Sequence, residues 1–166
     1  MDAGTGSDTV AKRNPVTVER KSDREIVVTR WFNGPARLVF EAWTKPELFE
    51  QWWLPKSMGM VLRSLEMDAR TGGSYRLDFG DGVDFFGRYL DVTPYSRIVW
   101  TNDEGGEDGS VTTVTFEERD GKTHLTLRDL YPSRKALDEA LASGSVSAYP
   151  EQFDELDALL KSLDQA

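Results

Sequence analysis

Residues 24–55 read REIVVTRWFNGPARLVFEAWTKPELFEQWWLP, and the change of periodicity within this stretch decides the fold. The first part alternates as a strand does: Ile26, Val28, Arg30 and Phe32 share one face, and Val27, Thr29 and Trp31 share the other. Asn33-Gly34-Pro35 stops the strand, and Pro35 is placed for the first turn of a helix. Val39, Phe40 and Trp43 then recur at helical spacing. Thr44 and Glu47 have the spacing of a capping box, with Pro46 in the first turn of a second short helix. Leu48, Phe49, Trp52 and Trp53 form its apolar stripe, and Pro55 ends it. Adjacent helical residues point about 100° apart, so the tryptophan pair cannot form one stacking surface. Trp52 is expected to pack as structure and Trp53 to face the mouth of an interior space.

Downstream, the pattern is strand and turn. Candidate strands cover 59–69, 74–80, 83–92, 97–103, 110–118 and 122–131. Thr71-Gly72-Gly73, Gly80-Asp81-Gly82, Thr93-Pro94, Gly105-Gly106 and Asp120-Gly121 supply turn chemistry between them. Connections this short allow only an antiparallel meander. Ser133 can cap a helix over 134–143 that Gly144 ends. Val146, Tyr149, Phe153, Leu156, Leu159, Leu160 and Leu163 then mark one face of a longer C-terminal helix. A sheet with one apolar face needs a cover, and this helix is the natural one. The fold class is α+β: a curved antiparallel sheet wrapped on a long C-terminal helix, with two short helices after the first strand. A curved sheet against a single helix leaves room for a cavity. Residues 1–14 are small and polar and read as a mobile tail; residues 15–166 read as one domain.

Composition narrows the partners. The 166 residues carry a net charge of −9, which opposes binding to a phosphate backbone or an anionic membrane surface. There is no cysteine, so disulfides, thiolate metal sites and a cysteine nucleophile are excluded. No apolar run is long enough to span a membrane, and the N-terminus has no apolar core of a secretory signal. A soluble, cytoplasmic protein without nucleic-acid or membrane partners is expected.

Several local motifs carry a resemblance. They are Arg30-x-Phe32-x-x-Pro35, Val39-Phe40-x-Ala42-Trp43-Thr44-x-Pro46-Glu47 and Trp52-Trp53-x-Pro55. Further on come Asp68-x-Arg70-x-Gly72-Gly73, Gly87 before the Pro94 turn, Val114-x-Phe116 with Thr123-x-Leu125, and Phe153-x-x-Leu156. Over residues 16–163 the chain resembles the helix-grip, START-like (SRPBCC) superfamily, above all its branch homologous to the activator of heat-shock protein 90 ATPase. The resemblance implies the fold. It leaves function open among lipid carriers, plant allergens, polyketide cyclases and co-chaperone modules. Relatives often have a polar residue or His near the end of the last strand, the place of Asp129. Their last helix usually has small residues where this chain has Ala148 and Gln152, and Pro150 interrupts its early turns.

Catalytic constellations are sparse. His124 is the single histidine, and alternation turns it to solvent while Leu125, Leu127 and Asp129 face the core. One histidine without cysteine gives no three-ligand metal cluster, and no metal or other cofactor is expected. Residues 102–109, NDEGGEDG, lack the ligand alternation and closing Glu of a calcium loop and read as an acidic turn. Gly72-Gly73 lacks the Lys and Ser or Thr of a phosphate loop, and no Gly-x-Ser-x-Gly motif is present.

The first and last strands are neighbours in a helix-grip sheet, so Arg30 and Asp129 are expected on the concave face as a partly buried ion pair. That pair would be the polar anchor of an apolar cavity, or an ion pair of structural use alone. Phe32, Trp53, Tyr75, Leu77 and Phe85 are candidate cavity residues, together with Tyr89, Trp100, Phe116, Leu127 and Phe153; Asn102 is a further polar candidate. The leading expectation is binding of a small apolar or amphipathic molecule between sheet and last helix. The alternatives are an enzyme of the polyketide cyclase or dehydratase kind, with Asp129 and Tyr75 or Tyr89 moving a proton, and a co-chaperone-like module with a protein partner.

Overall fold

The β-branched segment after Val16 makes two strands where the sequence pattern suggests one. In the computed structural model, which describes residues 16–53, 61–80, 82, 84–103, 109–144 and 146–164, β1 (Thr17–Arg20) and β2 (Glu25–Phe32) form an antiparallel hairpin. The polar run between them turns the chain, and the Arg20 side chain donates to Ser22 O and Asp23 O across that turn. The expected tail, Pro55, the first residues of the 59–69 segment and Gly105-Gly106 lie outside the described residues.

Two short helices follow, α1 (Ala36–Thr44) and α2 (Pro46–Phe49). Pro35 is the residue before α1 rather than within its first turn, and it has no side-chain cap to offer. The sheet supplies one: Glu118 accepts from Ala36 N at 2.8 Å, and Thr123 Oγ1 donates to Gly34 O at 2.8 Å. The capping box at Thr44 and Glu47 does not form. Lys45 is the N-cap of α2, so Thr44 still belongs to α1 and donates its hydroxyl back to Phe40 O at 3.0 Å.

Six further strands complete the sheet: β3 (Ser64–Met67), β4 (Ser74–Asp78), β5 (Asp84–Thr93), β6 (Arg97–Thr101), β7 (Val111–Arg119) and β8 (Lys122–Leu130). The order is β1-β2-β8-β7-β6-β5-β4-β3, antiparallel throughout, with β2 beside β8 as expected. Ser133 caps α3 (Arg134–Ser143) by accepting from Ala136 N, and Gly144 ends it in the left-handed region at φ 87°. The last helix, α4 (Tyr149–Asp164), begins after Val146, and Pro150 sits at its second residue. There its missing N–H costs no hydrogen bond, so Pro150 opens the helix instead of interrupting it. Among the described residues, no helix is long and apolar enough to cross a membrane.

The core lies between the concave face and the helices. Ile26, Val28, Phe32, Val114, Leu125 and Leu127 from the sheet are buried against Phe153, Leu156 and Leu160 of α4. Gly87 is what lets two strands and a ring meet there. A Cβ at this position would lie 1.9 Å from Thr101 O and 2.9 Å from Tyr75 Cε2. The backbone contact cannot relax by a rotamer change, so Gly87→Ala is expected to cost roughly 2–3 kcal/mol in urea denaturation. It should also loosen the Tyr75 ring.

Candidate functional site

Aromatic rings fill the end of the interior under α1 and α2. Trp43 is the hub, with ring centroids 4.6 Å from Trp52, 5.9 Å from Trp53, 5.8 Å from Trp100 and 6.3 Å from Phe153. The tryptophan pair lies past the end of α2, not on its apolar stripe, and its two rings differ in depth. Trp52 is fully buried and donates its indole N–H to Ala42 O at 2.9 Å. Trp53 is half-buried, stacks on Phe49 at 4.9 Å, and stands 79° from the plane of Trp52. Gln152, the bulky polar residue of α4, donates Nε2 to Trp53 O at 2.5 Å and ties that segment to the helix. The indole nitrogen of Trp43 is buried without a partner.

Arg30 and Asp129 both face the interior, and both are buried. They do not pair. Asp129 is opposite Ile26 and Arg30 opposite Leu125, which separates them by four residues along the ladder, roughly 13 Å. Alternation fixes the face of a side chain, whereas the register fixes its height along the strand. Arg30 instead reaches α4, with Nη1 2.8 Å from Asp154 Oδ1 and Nη2 3.6 Å from Asp157 Oδ2. Its guanidinium also lies 5.1 Å from the Phe32 ring centroid. Arg30 Nε and Asp157 Oδ1 are buried without partners, so this clamp is not saturated.

Asp129 belongs to a separate polar row. Thr112, its neighbour across β7, donates to Oδ1 at 2.6 Å, and Tyr149 at the start of α4 donates to Oδ2 at 2.5 Å. Asn102 Nδ2 donates to Thr112 Oγ1 at 3.1 Å, and Tyr75 donates to Thr101 O at 2.8 Å with Asn102 Oδ1 at 3.2 Å. Burial pushes the Asp129 carboxyl up from the ordinary carboxylate range, against the two hydrogen bonds that favour its anion. Burial also raises the Tyr149 and Tyr131 phenols, and the Asp129 charge adds to both. A neutral carboxyl in an apolar interior can donate a proton or a hydrogen bond.

The remaining candidates divide by depth. Phe32, Leu77, Tyr89, Trp100, Phe116, Leu127 and Phe153 are buried, and Tyr75 and Asn102 are half-buried. Phe85 shares the concave face with Leu77 but is 39% exposed, with its ring against Phe79. Burial moves the Tyr89 phenol well up, with Asp68 adding to the shift, and Tyr89 has no contact with Asp129 that would make it a partner there. The partner is Tyr149, which the helical pattern marks only as one more core residue; Thr112 carries no distinguishing signal either. His124 lies on the outer face with its ring 4.9 Å from Trp31. Among the described residues, no group of three acidic or histidine side chains is placed to hold a metal. An open depression of about 320 Å³ lies near β4 and β5, lined by Glu66, Arg76, Phe86, Arg88 and Asp103 among others.

Two predictions follow from these charges. Arg30→Gln leaves the buried Asp157 with Lys161 alone, 3.2 Å away, and should cost about 1–3 kcal/mol, whereas Arg30→Met with Asp157→Leu should recover most of that loss; equal losses would contradict the clamp. For Asp129 the raised folded-state value means that its contribution is complete below the unfolded value near ~3.9 and is lost as pH rises through the folded one. The stability of the wild type relative to Asp129→Asn should therefore fall with rising pH across that window, measured by denaturation at each pH.

Comparison with known proteins agrees with this architecture. The profile of the family described as "Activator of Hsp90 ATPase homolog 1-like protein" matches residues 33–161. A crystal structure of a Rhodobacter sphaeroides protein superposes with TM-score 0.79 at 20% identity, covering 90% of this chain and 99% of that one. A Mycobacterium smegmatis protein gives TM-score 0.74 at 25% identity over 90% and 99% of the two chains. A solution structure from Staphylococcus epidermidis gives 0.70 at 27% identity over 88% and 94%. No curated protein matches. The profile match extends from the end of β2 into α4 and so takes in the ring cluster and the polar row: the chain belongs to the Activator of Hsp90 ATPase homolog 1-like family, with its helix-grip, START-like fold.

Proposed function

We propose that this protein binds a small apolar or amphipathic molecule between the concave face of the sheet and α4. The observation that carries the reading is the Asn102–Thr112–Asp129–Tyr149 row, a short set of polar groups set among the rings and aliphatic side chains of the interior and apart from the Arg30 clamp. A ligand site has this composition: an apolar wall with few polar groups that set orientation. Trp53 and Tyr75 are both half-buried and pack against this core. Apolar ligands in hundredfold excess over their dissociation constant should stabilise the fold by about 2.7 kcal/mol. For a chain of this size that raises Tm by roughly 5–10 °C. An unchanged Tm and unchanged tryptophan fluorescence across a broad ligand screen would sink the reading.

A second reading, proton transfer on a ligand held in the same space, is favoured by the raised carboxyl of Asp129 beside Tyr149. It corresponds to an enzyme of the polyketide cyclase or dehydratase kind. It predicts deuterium exchange at the carbon next to the carbonyl of a bound ketone, followed by NMR. Exchange no faster than in buffer, or as fast in Asp129→Asn, would leave binding alone.

A further inference from the structure

The hydrogen bonds around Asp129 run from the Asn102 amide, whose nitrogen faces Ser110 O, Ser110 Oγ and Thr112 Oγ1. Ser110 O can only accept, so the Asn102 side-chain atom 3.2 Å from it is the amide nitrogen. That nitrogen also serves Thr112 Oγ1. With a lone pair of Thr112 engaged, its hydroxyl hydrogen goes to Asp129 Oδ1. With Thr112 donating to Oδ1, a proton on the carboxyl resides on Oδ2, facing the Tyr149 oxygen. An ionised Asp129 accepts from Tyr149. A protonated Asp129 donates to Tyr149 and turns the phenolic hydrogen toward the interior.

The surroundings shift Asp129 toward the second state. Arg30 is occupied with Asp154 and Asp157, four residues away along the ladder from Asp129. Across β2, Asp129 faces Ile26; from β7 it meets Thr112, from α4 Tyr149, and Tyr131 follows the end of its own strand. None of these is a cation, and burial outweighs the two hydrogen bonds to the anion. The Phe153 ring, 5.9 Å from that of Tyr149, supplies an apolar wall beside the hydroxyl.

We propose that Tyr149, backed by protonated Asp129, is the hydrogen-bond donor for an acceptor oxygen of the ligand, which makes the ligand class an apolar body carrying a ketone, aldehyde or ester carbonyl. This rests on the binding reading above and names what the site would recognise. Asp129→Asn is informative because the amide copies the neutral acid: its oxygen can accept from Thr112 while its nitrogen donates to Tyr149.

The test compares 2-acetylnaphthalene with 2-isopropylnaphthalene, similar in shape but lacking the oxygen, by calorimetry over a pH series. The wild type should prefer the ketone by about tenfold, the worth of one buried hydrogen bond. That preference should fade as pH rises through the ionisation of Asp129. Tyr149→Phe should abolish the preference, and Asp129→Asn should keep it at every pH. On the unaltered protein, the carbonyl stretch of the bound ketone should move to lower wavenumber. Equal affinities for the two probes, a preference that survives in Tyr149→Phe, or an unshifted stretch would overturn the inference and leave the binding reading standing. Binding of neither probe would overturn both.

Discussion

A sheet of eight strands presents more concave surface than one helix can cover, and the rest of the structure answers to that mismatch. Seven inter-strand spacings make the sheet roughly 34 Å wide, whereas a helix with its side chains is about 10–12 Å across. Curvature reduces the gap. Gly87 allows a close approach of β5 to Thr101, and the ladder between β5 and β6 shifts register at Tyr89 and Asp91. What α4 leaves uncovered at one end, α1, α2 and the tryptophan cluster occupy. The fold therefore specialises along its length, with close-packed rings under the short helices and a polar row farther along the concave face.

The two buried polar centres hold α4 in different ways. Arg30 is a charged clamp on the middle of the helix, through Asp154 and Asp157. Asp129 contacts its start through Tyr149 and has no cation beside it. The clamp gives the helix a fixed position. The second centre can change its proton without breaking that clamp, because the two lie on different stretches of β2 and β8. Such a separation suits a site whose polar group must respond to a ligand while the frame stays still.

Periodicity alone made much of this legible. The faces of β2 and β8 and the ends of α3 follow from local spacing, whereas the pairing of first and last strands follows from the family resemblance. The failures share a physical cause. Arg30 and Asp129 were expected together because alternation gives a side without a height, and the register that separates them is set by distant contacts. Thr44 has capping chemistry, but the chain is still helical there, so its hydroxyl returns to Phe40. Tyr149 looks like any apolar member of a helix face. Its hydroxyl acquires meaning only when α4 sets it against a carboxyl twenty residues back in the chain.

The central claim is that this interior holds a small molecule. Native mass spectrometry of the protein as purified from its source, with and without denaturation, tests it most directly. The account predicts a species heavier than the bare polypeptide by the mass of one small carbonyl compound, which is released on unfolding. A bare polypeptide mass that stays bare after incubation with apolar ketones would contradict it.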